Sequence, residues 1–319
     1  MKATIDIGTN TVLLLIAESG GDKTIKVIRD EARITRLGQK LHALHLFPPA
    51  AMKRTLTALK EFKTLCDQHF VSEIAAVGTA AFRKARNASE FVEEILRETG
   101  IKVEIISGED EALYSYTSVL KDFGSQHQNL MALDIGGGST EIISINGSVS
   151  LPLGCVELTE RYLISDPVTP QEMKRVYEII EKVLANPSLP PLTPREGTLL
   201  PPLGVRGGQG ELALVGLAGT CTTLSAINQK LTVWNPAKIQ GSILTLKELP
   251  EITQQLATST IAERKQMTGM VPERADTLLS GAMILQKVME KVGVEKLLVS
   301  DRGLRFGLFI KKFSSSFTS

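Results

Sequence analysis

Residues 134–141 read DIGGGSTE, and the fold turns on how that stretch is understood. The apolar run Leu130, Met131, Ala132, Leu133 delivers Asp134 into Gly136, Gly137 and Gly138. From Glu141 the chain alternates out again through Ile142, Ile143, Ser144 and Ile145. That is the pattern of two strands joined by a tight turn. Three consecutive glycines cost backbone entropy, so such a turn needs unusual φ values or something pressed against its backbone. Its amides, with the hydroxyls of Ser139 and Thr140, form a nest suited to an anion, phosphate above all. An ordinary glycine-rich hairpin is the competing interpretation.

The chain opens on a second copy. Residues 3–11 read ATIDIGTNT: a strand, Asp6, a turn through Gly8, Thr9 and Asn10, then an apolar strand from Val12 to Ala17. Two such hairpins about 130 residues apart predict two related lobes, 1–124 and 125–319, each with its own phosphate loop. The pair is far more specific than either member.

Composition sets outer limits. With 319 residues, 43% hydrophobic, 22% charged and a formal net charge of +1, the chain is an ordinary globular protein of two-domain length. No global field marks a nucleic-acid or membrane-surface protein. Cys66, Cys155 and Cys221 show no CxxC or histidine spacing, against a zinc site or a disulfide framework, and are expected as buried apolar side chains in a reducing cytosol. No apolar stretch approaches the roughly 20 residues of a membrane span, and Asp6 and Asn10 interrupt any signal-peptide core. The expected location is cytoplasmic.

Between the hairpins, residues 25–29 alternate as a third strand and 34–37 as a fourth, and Pro48-Pro49 starts a helix to about His69. Residues 74–77 form a short strand, then GTAAFR (78–83) enters a helix carrying Arg83, an anion contact or a surface arginine. In SGEDEA (107–112), Ser107 reads as an N-cap, and Glu109 and Asp110 suit the first helical turn. The third acid, Glu111, is less well explained that way; beside two phosphate loops it is a natural base for water. Beyond the second hairpin, residues 186–210 interleave six prolines with five glycines and are expected as a flexible surface loop. Residues 218–223, AGTCTT, repeat the strand-to-helix turn of small residues, and Arg274 opens a long helix to Val292.

Taken in order, DIGTN (6–10), GTAAFR (78–83), ISGEDEA (106–112), DIGGGSTE (134–141), LPLGCVELTERY (151–162), AGTCTTLSAI (218–227), PERAD (272–276) and VSDRGLR (299–305) resemble the Ppx/GppA phosphatases, exopolyphosphatases and guanosine pentaphosphate phosphohydrolases, over almost the whole chain. The resemblance implies an α/β fold of two ribonuclease-H-like lobes, as in actin and the sugar kinases, with the active site in the cleft between them. It implies Glu111 as the carboxylate that activates water, and Asp6, Asp134 and Glu141 as the acids for Mg2+, with Mn2+ as the alternative. Gly8, Thr9, Asn10, Gly136, Gly137, Gly138, Ser139 and Thr140 are the expected phosphate loops. Arg83 matches the family's anion-binding arginine, and Arg274 is nominated beside it.

The expected activity is release of orthophosphate from an inorganic polyphosphate end, or from a phosphorylated guanosine or adenosine nucleotide. No nucleic-acid or membrane partner is expected, and a homodimer stays open. A kinase of the same superfold and a non-catalytic polyphosphate sensor are the weaker alternatives. The chain departs from the pattern at Glu157, where the family often carries arginine or lysine, and at Phe306, where glutamate is common. Ending at Ser319, it resembles the short, two-domain form.

Overall fold

The computed structural model describes residues 1–20, 24–186 and 212–314. Apart from Asn186, the stretch expected as a flexible loop at 186–210 lies outside the described residues. Two compact units emerge: Met1–Ser118 with Gly303–Ser319, and Val119–Arg302.

The first unit holds β1 (Lys2–Ile7), β2 (Thr11–Ser19), β3 (Ile25–Ile34), α1 (Leu41–Leu44), α2 (Pro49–Gln68), β4 (Glu73–Gly78), α3 (Ala80–Lys84), α4 (Ala88–Thr99), β5 (Val103–Ile105) and the start of α5 (Gly108–Phe123). Its sheet runs β3-β2-β1-β4-β5, with β1–β2 and β2–β3 antiparallel and β1–β4 and β4–β5 parallel. The separate strand expected at 34–37 is absent. The third strand runs on to Ile34, and Arg36 then takes a left-handed φ of 51° that ends it.

The second unit continues with β6 (Leu130–Ile135), β7 (Thr140–Ser144), β8 (Gly147–Leu151), α6 (Cys155–Tyr162), α7 (Pro170–Leu184), β9 (Ala213–Leu217), α8 (Ala218–Asn228), α9 (Pro236–Ile239), β10 (Ser242–Thr245), α10 (Leu249–Thr258), α11 (Ile261–Arg264), a 3-10 turn (Pro272–Arg274), α12 (Leu278–Val292) and β11 (Lys296–Val299). Its sheet, β10-β11-β9-β6-β7-β8, repeats the first: three antiparallel strands from the hairpin, then parallel strands beyond it. The added edge strand β10 pairs antiparallel with β11. This repeated strand order is the α/β, ribonuclease-H-like architecture that the family resemblance implies.

The closing helix, α13 (Leu304–Phe313), belongs to the first unit and not, as the 125–319 division has it, to the second. The reason is packing: Phe306 and Phe309 fill a core with Leu15 and Ala17, and Leu304 and Leu308 one with Val77 and Ile106. Strand alternation then decides what faces what. Ile5, Ile7, Leu14 and Ile16 join the core that includes Phe62 and Phe91 of α2 and α4. Thr4 and Asp6 therefore sit on the α13 face, where the Thr4 hydroxyl donates to Arg305 O at 2.8 Å.

Candidate active site

Both hairpin turns close the same way. Gly8 N donates to Thr11 O at 3.0 Å, and Gly136 N to Ser139 O at 2.9 Å. In each unit the segment after the third strand then takes the turn's carbonyls. Thr35 N and Arg36 N donate to Asn10 O at 3.0 and 3.0 Å, and Gly38 N to Thr9 O at 2.8 Å. Cys155 N donates to Gly136 O at 3.0 Å, and Val156 N and Glu157 N to Gly137 O at 3.0 and 3.1 Å. In a trans peptide the N–H points away from the carbonyl, so holding these carbonyls by the following segment is compatible with N–H groups turned the other way, as an anion nest needs. At Gly154 the approach is close enough to demand glycine: a Cβ would lie 2.2 Å from Gly137 O, whereas one on Gly38 would meet chiefly a side chain, Thr9 Cγ2 at 2.3 Å.

In the first unit, the three acids of α5 divide their work. Asp110 N donates to Ser107 Oγ and Ser107 Oγ to Asp110 Oδ2, both at 3.0 Å, so the cap absorbs Asp110. Glu109 is exposed. Glu111 instead pairs with Arg83, Nη1 to Oε2 at 2.8 Å, while the same nitrogen donates to Ile106 O at 3.0 Å. The expected anion-binding arginine is thus the partner of the expected base. Asp6, at the end of β1, has an inaccessible Oδ1 that accepts no hydrogen bond. Burial first, then the charge of Glu111, pushes its carboxyl up to about 7, against the opposing pull of Arg305.

In the second unit, Asp134 and Glu141 share one rung of the β6–β7 ladder, and Glu141 faces Ser150 on the next, whose hydroxyl donates to Glu141 Oε1 at 3.0 Å. At the matching rung of the first sheet Asp6 faces Leu13, so the second acid has no counterpart there. Arg274 comes from the 3-10 turn and lies flat over Gly219, where an added Cβ would fall 1.9 Å from its Cζ. Burial lowers that guanidinium, which the nearby Cys155 and Glu273 partly offset.

One expected contact is corrected. The Thr140 hydroxyl is fully buried and donates to Leu153 O at 2.6 Å, so it packs the hairpin and does not face a phosphate. Ser139 is also largely buried. The two departures from the family pattern are engaged locally: Glu157 accepts from Arg161 at 2.9 Å one turn along α6, and Phe306 is core. Sequence reasoning missed Gly38 and Gly154 as loop-shaping glycines, since neither sits in a turn motif. It also missed Arg264 and the pairing of Arg305 with Asp30, at 2.7 and 2.8 Å.

The residues fit a divalent cation. A buried carboxylate oxygen without a donor, beside a second carboxylate, is left unsatisfied unless a cation meets it. No group of three or more His, Cys, Asp or Glu arranged for a metal occurs among the described residues. A cation here would rest on one or two carboxylates plus water and substrate oxygens, as Mg2+ does.

The Ppx/GppA phosphatase family model matches residues 15–316. The chain belongs to the Ppx/GppA phosphatase family. Exopolyphosphatase 2 of Mycobacterium tuberculosis is 35% identical, over 96% of this chain and 96% of that protein. The bifunctional 3-dehydroquinate synthase/phosphatase of Fusobacterium nucleatum is 28% identical over 98% of this chain, which spans 46% of that longer protein. Among solved structures, the Aquifex aeolicus Ppx/GppA family member superposes with a TM-score of 0.76 at 33% identity, covering 97% of this chain and 96% of that one. An exopolyphosphatase from Cytophaga hutchinsonii gives 0.81 at 27% identity, covering 97% and 96%. Ppx/GppA membership makes this chain a phosphoanhydride hydrolase, and accounts for the repeated hairpins. No described helix is long and apolar enough to cross a membrane.

Proposed function

We propose that this Ppx/GppA member is an exopolyphosphatase, with Glu111 as the base that activates water. The observation behind this reading is the Arg83–Glu111–Asp6 group on the first unit. The cap does not need Glu111, Arg83 fixes its carboxylate at 2.8 Å, and its charge is felt by the half-buried Asp6. A base so oriented takes the proton of a water whose oxygen attacks the terminal phosphorus; the phosphoanhydride P–O bond breaks and the shortened chain leaves. We assign phosphate binding to the turns' N–H groups at Thr9 and Asn10 and at Gly137, Gly138 and Ser139, with Arg83 and Arg274 as cationic contacts; Gly8 and Gly136 shape the turns, since their own N–H groups already close the hairpins on Thr11 O and Ser139 O. Mg2+, when bound at Asp6 or at the Asp134–Glu141 rung, supplies positive charge to the phosphate oxygens. Polyphosphate is favoured because relatives spanning nearly the whole chain carry the exopolyphosphatase name.

The test is a phosphate-release panel over polyphosphates of increasing length, guanosine pentaphosphate and nucleoside triphosphates, with and without Mg2+. Tripolyphosphate and longer chains are expected to be the better substrates, and a clear preference for guanosine pentaphosphate would overturn the assignment. In the same panel Glu111→Gln keeps the shape but cannot take a proton, and kcat should fall by about 10²–10⁴-fold with KM little changed. Near-normal turnover would remove Glu111 from the role.

A further inference from the structure

We propose that Arg264 is the positioning residue that sets Arg274 over Gly219. The inference rests on the reading of Arg274 as a phosphate contact. Arg264 is the last residue of α11 and is 2% exposed, the largest fully buried side chain among the described residues. A buried guanidinium is expensive unless its donors are met, and here one, Nη2, has no partner. A leucine would fill similar space at less cost, so what the arginine does for its neighbours has to explain it.

Its fork joins two backbone elements. Nε donates to Leu256 O at 2.6 Å, a carbonyl in the last turn of α10, where helices leave such groups unpaired. Nη1 donates to Ala275 O at 3.3 Å. Ala275 directly follows Arg274 in a short turn whose backbone bonds include Arg274 N to Val271 O at 2.8 Å, Ala275 N to Pro272 O at 3.3 Å and Thr277 N to Arg274 O at 3.1 Å, all within the turn. The fork therefore anchors that turn to α10. Burial draws the guanidinium below its ordinary value, and the carboxylates of Asp166 and Asp276 draw it back. Arg274 needs such an anchor because its guanidinium lies on the bare α-carbon of Gly219, where even a Cβ would not fit. A small shift of Ala275 moves that contact.

The experiment is a double-mutant cycle with tripolyphosphate and Mg2+, reading kcat and KM separately. Arg264→Lys keeps the charge but loses the fork that spans two carbonyls. Arg274→Ala is expected to raise KM at least tenfold, and Arg264→Lys three- to tenfold with kcat within twofold. In the Arg274→Ala background, Arg264→Lys should then add nothing to KM. Independent, multiplying effects would show a merely structural role and overturn the proposal, as would an unchanged KM in Arg264→Lys alone. An unchanged KM in Arg274→Ala would instead overturn the underlying reading of Arg274, and the proposal with it. Arg264→Met serves as the second variant. Loss of the fold in both, seen by circular dichroism, would assign Arg264 to stability alone and also overturn the proposal.

Discussion

Asp6 carries a conflict that pH can expose. Its carboxyl is raised from 3.8 to about 7, by burial first and by Glu111 second. A carboxyl whose folded pKa lies above its unfolded one binds more protons in the folded state across that interval. Its contribution to stability is therefore full below about pH 4 and is lost as pH rises towards about 7. A cation bound to the ionised form removes the penalty, because it binds the folded state alone. Urea midpoints of the chelated protein should fall between pH 5 and 7.5 by more in the wild type than in Asp6→Asn, and Mg2+ should narrow that difference. Equal pH dependence in the two proteins would show that Asp6 does not titrate in this window. The Asp6–Gly8 sequence announced an important aspartate. That its Oδ1 would be left without a donor was not legible, because the groups that act on that carboxyl, Glu111 and Arg305, lie far along the chain.

At the scale of elements, each hairpin turn is shaped by the chain that follows the third strand of its sheet. Gly154 and Gly38 do the same job with different tolerance. A Cβ on Gly154 meets backbone, Gly137 O at 2.2 Å and Gly138 Cα at 2.3 Å, while one on Gly38 meets chiefly the Thr9 side-chain methyl at 2.3 Å. Gly154 has φ −112°, so alanine there suffers no backbone strain and the clash alone is tested. Overpacking of this kind costs about 1–3 kcal/mol. Gly154→Ala should reach that range and raise KM by displacing the loop's amides. Gly38→Ala, relieved by rotation of Thr9, should cost less on both counts. Urea titrations and initial rates of the two variants decide it; equal effects would mean the loops are not held as described. The helix start at Ser107 shows the opposite situation, a feature wholly legible because Ser107 and Asp110 are three residues apart.

At the scale of the molecule, the question is whether a long polyanion has a track to follow. Net charge is +1. Two arginines near the candidate motifs are occupied: Arg302 by Asp122 at 2.9 Å, and Arg305 by Asp30. Remaining surface charges act over a Debye length of about 8 Å at physiological ionic strength. Long polyphosphate should therefore be released between cuts, and short chains should serve nearly as well as long ones. At partial conversion a gel should show the whole population shortening together. Full-length chains persisting beside free phosphate, with nothing between, would show processive cleavage and defeat the argument.

By itself the sequence determined the repeated strand–aspartate–glycine-turn hairpins, the two related lobes they imply, and the acid that capping could not explain. Those features are written in alternation, glycine placement and three-residue spacings, which act over a few bonds. Only the tertiary structure decided that α13 completes the first unit, that the Thr140 hydroxyl is spent in the core, that Arg83 holds Glu111, and that Arg264 anchors the turn bearing Arg274. Each of those depends on which groups meet across the fold. The Thr4 hydroxyl and Arg305 carbonyl, 301 positions apart, meet because Phe306 and Phe309 of α13 pack on Leu15 and Ala17 of the first sheet, and no local pattern encodes that pairing.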